Sequence, residues 1–285
     1  MIIRKAEKKD KKDLVEVSKY AWEDDYIPIV FDEWVNDKNS NFYVIEENGK
    51  VIGCGRMKEL KKGVFWLEGL RVHGNYRNKG YGKKLSEFFL QLAKEKGYKK
   101  IMFSTYYQNI ESRHIMENYG FRVYKEFKWI YYNNKNNKIE TKNFERFEIA
   151  KNFEEVKSYI LNSREYRYSK ILSFDWIFIE LDEALLKKLF DREEIYILKK
   201  ERNIESLIIL SSYMKKYNTL SISFISRNYE KALNFSIDLF SKTDKIYMTY
   251  MIPKGQIDKR IALNKGFIEE DKEENNVFLY VLEKQ

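Results

Sequence analysis

An α/β fold, built as a mixed sheet flanked by helices, is predicted by three features of this sequence. A β-branched and aromatic run, Val64–Val72, leads through a basic, glycine-spaced turn into an amphipathic helix. A further apolar run, Ile101–Thr105, follows, and this order of strand, turn, helix and strand is the alternation from which α/β folds are made. The second half of the chain then repeats the order of the first.

Taken in chain order, Ile2–Ala6 reads as a short strand leading into Leu14 and Val17 at helical spacing. Tyr43-Val44-Ile45-Glu46-Glu47-Asn48-Gly49-Lys50 reads as a hairpin with a polar turn. Val64–Val72 ends where the turn begins and reads as a buried strand. Leu85, Phe88, Phe89, Leu92 and Ala93 then recur at helical spacing, and Gly97 supplies a stop.

The turn carries the chemistry. In His73-Gly74-Asn75-Tyr76-Arg77-Asn78-Lys79-Gly80-Tyr81-Gly82-Lys83-Lys84, glycines 80 and 82 let consecutive N–H groups converge on one point. The following helix adds its unpaired N–H groups and its positive dipole end, which together suit a phosphate. A Rossmann fingerprint needs three glycines and a P-loop needs Gly-Lys-[Ser/Thr]; neither is present.

Arg77-x-x-Gly80-x-Gly82 resembles the acyl-CoA pyrophosphate loop of the GNAT superfamily of N-acetyltransferases. Asn109-Ile110-Glu111-Ser112, followed by Tyr119-Gly120-Phe121, is similar to that family's helix from Asn-x-x-[Ala/Ser] to Gly-Phe. With their flanks the two motifs cover roughly residues 2 to 132. The resemblance implies the acyl-CoA N-acyltransferase (GNAT) fold and an acetyl-CoA-dependent transfer of an acetyl group to a primary amine. The acceptor would be a small molecule or a peptide amine attacking the thioester directly.

Composition agrees with two soluble domains. The chain has 285 residues, 44% of them hydrophobic, with no run of about 18 apolar residues and no signal-peptide core behind Met1-Ile2-Ile3-Arg4-Lys5. A cytoplasmic protein with no membrane partner is expected. One cysteine, Cys54, excludes an internal disulfide and reads as a small apolar residue. Of the net charge of +9, most sits in residues 1–150, with 30 Lys and Arg against 22 Asp and Glu; residues 71–100 alone hold nine basic and two acidic side chains. This excess centres on the phosphate turn, no nucleic-acid module accompanies it, and nucleic acid is not an expected partner. A solvated helix face accounts for some of the same lysines.

Asn133–Lys138 is polar and of low complexity and marks a linker, taken as 134–143, between a catalytic domain at 1–133 and a second domain at 144–285. Phe147–Ala150 leading into Val156 and Ile160 repeats the opening, and Tyr196–Asn203 repeats the hairpin. Leu220–Ile225 and Ile246–Tyr250 match the strands either side of the turn, and Asn264–Phe267 matches the closing Gly-Phe. In place of the glycine turn stands Ser226-Arg227-Asn228-Tyr229-Glu230-Lys231, whose side chains would crowd a pyrophosphate and whose Glu230 would repel it. The second domain therefore reads as a degenerate GNAT-like copy: a scaffold, a substrate wall or the surface of a homodimer.

By resemblance, the main chain of Leu70, Arg71 and Val72 would pair with the pantetheine arm. N–H groups of Arg77, Asn78, Lys79, Gly80, Tyr81 and Gly82, supplemented by Lys83 or Lys84, would hold the pyrophosphate, with Asn109 and Ser112 on the arm. Glu68, sharing a strand face with Leu70 and Val72, is the candidate proton acceptor; the alternative is a strand carboxylate paired with Arg71 or a lysine. The family's usual acid, a tyrosine seven residues after the Asn, falls on Met116, which has no proton to donate. Tyr119 is the substitute, with Tyr106 and Tyr107 also near; a silent acyl-CoA-binding or sensor protein is the alternative. Trp22, Asp25 and Tyr26 lie where the acceptor rim forms in this fold and would suit a cationic amine, or else are a solvated loop. His73 reads as a turn residue, and no residue cluster has metal-ligand spacing.

Overall fold

The apolar runs of the first half become strands in a computed structural model that describes every residue except 22–24, 38, 40, 134–145, 213–217, 258 and 285. The expected linker at 134–143 and Trp22 thus lie outside the described residues. Two compact units are present, Met1–Tyr124 with Tyr280–Gln285, and Lys125–Leu279.

In the first unit, β1 (Ile2–Lys5), β2 (Asn41–Glu47), β3 (Lys50–Lys61), β4 (Val64–Val72) and β5 (Lys100–Tyr106) lie side by side in that order. All neighbours are antiparallel except β4 and β5, which are parallel and joined through a helix. Helices α1 (Lys11–Ser18) and α2 (Ile27–Asn36) bury Leu14, Val17, Ile27, Val30, Phe31 and Trp34 against Phe42, Val44, Val51 and Cys54. On the other face, α3 (Tyr81–Glu95) lays Leu85 and Phe89 directly over Gly55. Next comes α4 (Ile110–Glu117), opening straight after Asn109 as the motif implies. Tyr280 stacks on Phe103 with ring centroids 5.0 Å apart and donates to Glu117 at 2.6 Å.

The second unit repeats this plan. After β6 (Arg122–Asn133) come β7 (Glu148–Ile149), α5 (Phe153–Asn162), α6 (Arg164–Tyr168) and the hairpin β8 (Ile171–Phe174) and β9 (Ile177–Glu180). Then follow α7 (Glu183–Asp191), β10 (Ile195–Lys200), β11 (Asn203–Ser211), β12 (Thr219–Ser226), α8 (Tyr229–Ser241), β13 (Tyr247–Pro253) and α9 (Lys259–Leu263). The last strand, β14 (Val277–Glu283), begins in this unit, and its residues from Tyr280 on belong to the first. The strand order β7-β10-β11-β12-β13, with only β12 and β13 parallel, matches β1-β2-β3-β4-β5. Ala232, Leu233, Ile237 and Phe240 of α8 pack on Ile222, Met248 and Tyr250 as α3 packs in the first unit. What the second unit adds is residues 163–181, with α6 and the β8–β9 hairpin, between its first two long helices.

Candidate active site

The start of α3 has the geometry of an anion cradle. Gly80 takes φ +80°, a left-handed conformation that a side chain disfavours, and a Cβ there would meet no atom within 4 Å. Asn78 is left-handed too, at φ +59°. The first intrahelical bond runs from Lys84 N–H to Gly80 O at 3.0 Å, so the N–H groups of Tyr81, Gly82 and Lys83 precede the helical ladder. A Cβ at Gly82 would lie about 4 Å from Val72, Leu70 and Ile115, within the space that a ligand reaching β4 and α4 would occupy. Arg77 is exposed, and its guanidinium donates to the carbonyl of Tyr20.

Next to this cradle, β4 and β5 stop pairing. Their parallel ladder joins Val64–Trp66 to Lys100–Met102, whereas β4 runs on to Val72 and β5 to Tyr106. Pairing of β4 with β3 continues, but it shifts: Arg56 faces Glu68 and Cys54 faces Arg71, leaving Gly69 and Leu70 together opposite Gly55. That is a β-bulge, with Gly69 at φ +69° and a Cβ there only 2.9 Å from the Trp34 ring.

One extra residue reverses which face the following side chains take. The expectation that Glu68 shares a face with Leu70 and Val72 is overturned: Glu68 and Arg71 face α2, while Leu70 and Val72 face α3. Glu68 accepts from Arg56 at 2.9 Å; the two side chains are 7% and 4% exposed, so the pair is buried. Arg56 also donates to Asp37 at 3.0 Å and lies 4.7 Å over the Trp34 ring. Arg71, the expected partner on the strand, binds Asp25 at 2.6 Å. Sequence reasoning missed Arg56, Asp37 and Trp34. The signal was a lone arginine in the buried run Val51–Met57.

Other expected residues are placed as follows. The Asp25 carboxylate is turned inward, accepting from Arg71 and from Ile27 N–H at the start of α2, and is not an open rim group. Tyr26 lies under Arg71 and against Trp34, and burial pushes its phenol well above the usual range. Tyr119 donates to Glu87 at 2.6 Å, in a groove with Leu90, Gln91, Lys94, Tyr98 and Leu282. Burial and Glu87 push its phenol up to about 12. Glu87 is about 9 Å along α3 from Tyr81, so Tyr119 is bonded well past the glycine turn, while Glu68 is bonded to Arg56. Met116 is buried core. His73 is the turn residue expected: its Nδ1 accepts from Asn75 N–H, and burial and Lys50 lower its pKa. The Asn109 amide donates to Thr105 at 3.0 Å, and Ser112 sits half-buried in the first turn of α4. Cys54 is buried, and burial raises its thiol to about 12.

The counterpart in the second unit has the same skeleton. β12 bulges between Phe224 and Ile222, and its ladder with β13 ends at Ile222–Tyr250. Here, however, β8 packs on β12, leaving a cavity of about 10 Å³ among Ser169, Ile171, Ser173, Ser223, Met251 and Gln256. The turn itself, with Arg227 at φ +57° and Asn228 at φ +39°, receives the buried carboxylate of Glu165. Glu230, expected to repel a phosphate, instead points to Lys265 at 2.6 Å.

Among the described residues no group of three or more His, Cys, Asp or Glu side chains is placed to hold a metal ion, and no helix is long and apolar enough to cross a membrane. Residues 8–121 match the family model described as Acetyltransferase (GNAT) family. No curated protein matches the sequence. Among solved structures, a GCN5-related N-acetyltransferase from Sphaerobacter thermophilus is similar at TM-score 0.71 and 10% identity, covering 99% of this chain and 95% of its own. A tandem GNAT protein from the clavulanic acid biosynthesis pathway gives TM-score 0.60 and 11% identity over 99% and 97%. A GCN5-related N-acetyltransferase from Kribbella flavida gives 0.50 and 13% over 99% and 71%. The full-length likeness to these structures is one of fold, and the match to the GNAT acetyltransferase family model is confined to residues 8–121.

Proposed function

We propose that residues 1–133 bind acetyl-CoA and pass its acetyl group to a primary amine by direct attack on the thioester, and that residues 144–285 are a degenerate copy. The observation that carries this reading is the coincidence, in one unit, of an open glycine cradle, a β4–β5 gap and a buried carboxylate beside the gap. Backbone N–H groups from Arg77 to Gly82, with Lys83, would hold the pyrophosphate. The main chain of Leu70, Arg71 and Val72 would hold the pantetheine arm, with Asn109 and Ser112 at its flank. Bound there, acetyl-CoA supplies an activated thioester.

The chain's own residues supply position and a proton acceptor. Glu68 takes the proton of the attacking amine, directly or through water, and Arg56 fixes the carboxylate in one orientation. Among the described residues of this face, Asp25, Asp37 and Glu68 stand with Arg56 and Arg71, a balance that favours a cationic acceptor arriving from the α2 side. The setting that goes with this is a cytoplasmic enzyme working on a soluble or peptide amine.

A silent acyl-CoA-binding protein is the second reading, supported by Met116 in the core and Tyr119 bonded to Glu87. Titrating the full chain with acetyl-CoA, then following thiol release across an amine panel, decides between them. Release with a cationic amine supports transfer; binding without release across the panel supports the silent reading; no binding overturns both.

A further inference from the structure

The first unit is completed by the far end of the chain. Tyr280–Gln285 belong to it, and the chain reaches them only after residues 125–279 of the second unit. Within this segment the Lys284 N–H donates to the Lys99 carbonyl at 2.9 Å, and Glu283 takes Arg122 at 2.6 Å and Lys100 at 3.5 Å. Tyr280 is fully buried, its ring stacked on Phe103, which in turn meets Phe121 edge-on at 5.4 Å.

The Tyr280 hydroxyl holds α4 at two residues one turn apart. It donates to Glu117 at 2.6 Å and accepts from Arg113 Nε at 3.1 Å. Arg113 extends the connection, donating from Nη1 to the carbonyl of Tyr107 at 2.8 Å, in the turn that enters α4. These bonds therefore run from the entry turn to the last residue of the helix. Apolar packing holds α4 less firmly: of its eight residues only Met116 is buried, and a helix of that length is marginal by itself. A Cβ at Gly82 would lie 4.0 Å from Ile115 of α4, so the position of this helix sets the width of the gap beside the glycine turn. Asn109 and Ser112 are carried by the same helix and its cap.

We propose that Tyr280 is a positioning residue of the acyl-CoA site, holding α4 at the distance from the glycine turn at which Asn109 and Ser112 meet the pantetheine arm; this rests on the acyl-CoA reading above. The second unit then has a task despite its lost glycines, since the chain reaches Tyr280 only by way of it.

The test is calorimetry of acetyl-CoA on full-length wild type, Tyr280→Phe, Glu117→Leu and Glu117→Gln, far below the unfolding midpoint, where lost stability alone leaves affinity unchanged. Tyr280→Phe keeps the ring stack and removes only the hydroxyl. It should weaken binding roughly tenfold, the worth of one charge-assisted hydrogen bond, and Glu117→Leu should act in the same direction. Glu117→Gln, whose amide oxygen still accepts from the hydroxyl, should keep most of the affinity. Tyr280→Phe combined with Glu117→Leu should bind no more weakly than Tyr280→Phe alone, because both remove parts of one connection. Hydrogen exchange of the α4 amides in unliganded Tyr280→Phe should be faster than in wild type, with α3 unchanged. Wild-type binding that Tyr280→Phe leaves within about twofold, or α4 exchange equal to wild type, overturns this inference alone. Absence of binding by wild type overturns the acyl-CoA reading and this inference with it. If Tyr280→Phe does not fold, Glu117→Leu, at an exposed residue, gives the same decision.

Discussion

The turns that open α3 and α8 hold the same place in two copies of one topology, and they meet opposite fates. The first is exposed, glycine-lined and basic, next to a strand, β4, that carries Glu68 and Arg71 and is only partly buried. The second is closed by Glu165 and lies beside β12, which has no charged residue and is buried along its whole length. The shared skeleton therefore does not by itself make a site. Both units have the bulge and the parted parallel strands, and what separates them is whether the resulting space was left open or filled from within.

The sharpest way to test that contrast is through β4. Glu68→Gln should lower kcat by about 10²- to 10⁴-fold with little change in the affinity for acetyl-CoA, the usual range for losing a general base. An unchanged kcat in steady-state assays would reduce Glu68 to a structural partner of Arg56. Arg56→Met leaves Glu68 buried beside an apolar side chain, and breaking such a pair costs about 3–5 kcal/mol. Urea unfolding should show this, and a loss under about 1 kcal/mol would mean water replaces the guanidinium.

The turn itself comes next. Gly80→Glu with Gly82→Glu should weaken acetyl-CoA binding roughly a hundredfold, equivalent to two lost charge-assisted bonds. Calorimetry on wild type should give one cofactor per chain; two would show that the second unit opens in solution.

The smallest effects are in pH dependence, and one carboxyl from each unit, Asp10 and Glu194, gives opposite signs. Burial alone would raise the Asp10 carboxyl, but Arg4 at 2.8 Å and the Glu7 N–H outweigh it and hold the pKa below the ordinary 3.8. Its stabilisation is complete above that value and is lost as pH falls through the folded pKa. In the second unit, burial raises Glu194 above the ordinary 4.5, against the Ser211 hydroxyl at 2.6 Å. Its contribution is complete below 4.5 and is lost as pH rises through the folded value. Across about pH 3 to pH 6, Asp10→Asn should flatten the rise in stability and Glu194→Gln should remove a decline. Slopes of the urea midpoint against pH that change in the same direction for both variants would contradict the assignment.

Much of this was legible in the sequence because local signals carried it. The glycines of the turn, the spacing of Leu85 to Ala93, the Asn109 helix start and the recurrence of the pattern in the second half are short-range features. Each has a backbone or periodicity reason and each is found in place. What the sequence hid were relations between residues far apart. A bulge at Gly69 cannot be seen from alternation along β4, yet it flips Arg71 and Val72 to opposite faces and leaves Glu68 with Arg56. The acidic segment before α2 looked like an open rim, and its Asp25 proved to be committed to Arg71.

The sequence by itself thus determined the fold class, the doubled plan and the position of the glycine turn before α3, because these follow from backbone freedom and apolar spacing along contiguous residues. Only the tertiary structure decided which carboxylate meets which cation and why the second copy is shut. Glu165 stands more than sixty positions before the turn it fills, and a carboxylate with nowhere to go in sequence acquires its meaning only when folding brings the Ser226 hydroxyl, the Arg227 N–H and the Tyr229 hydroxyl around it.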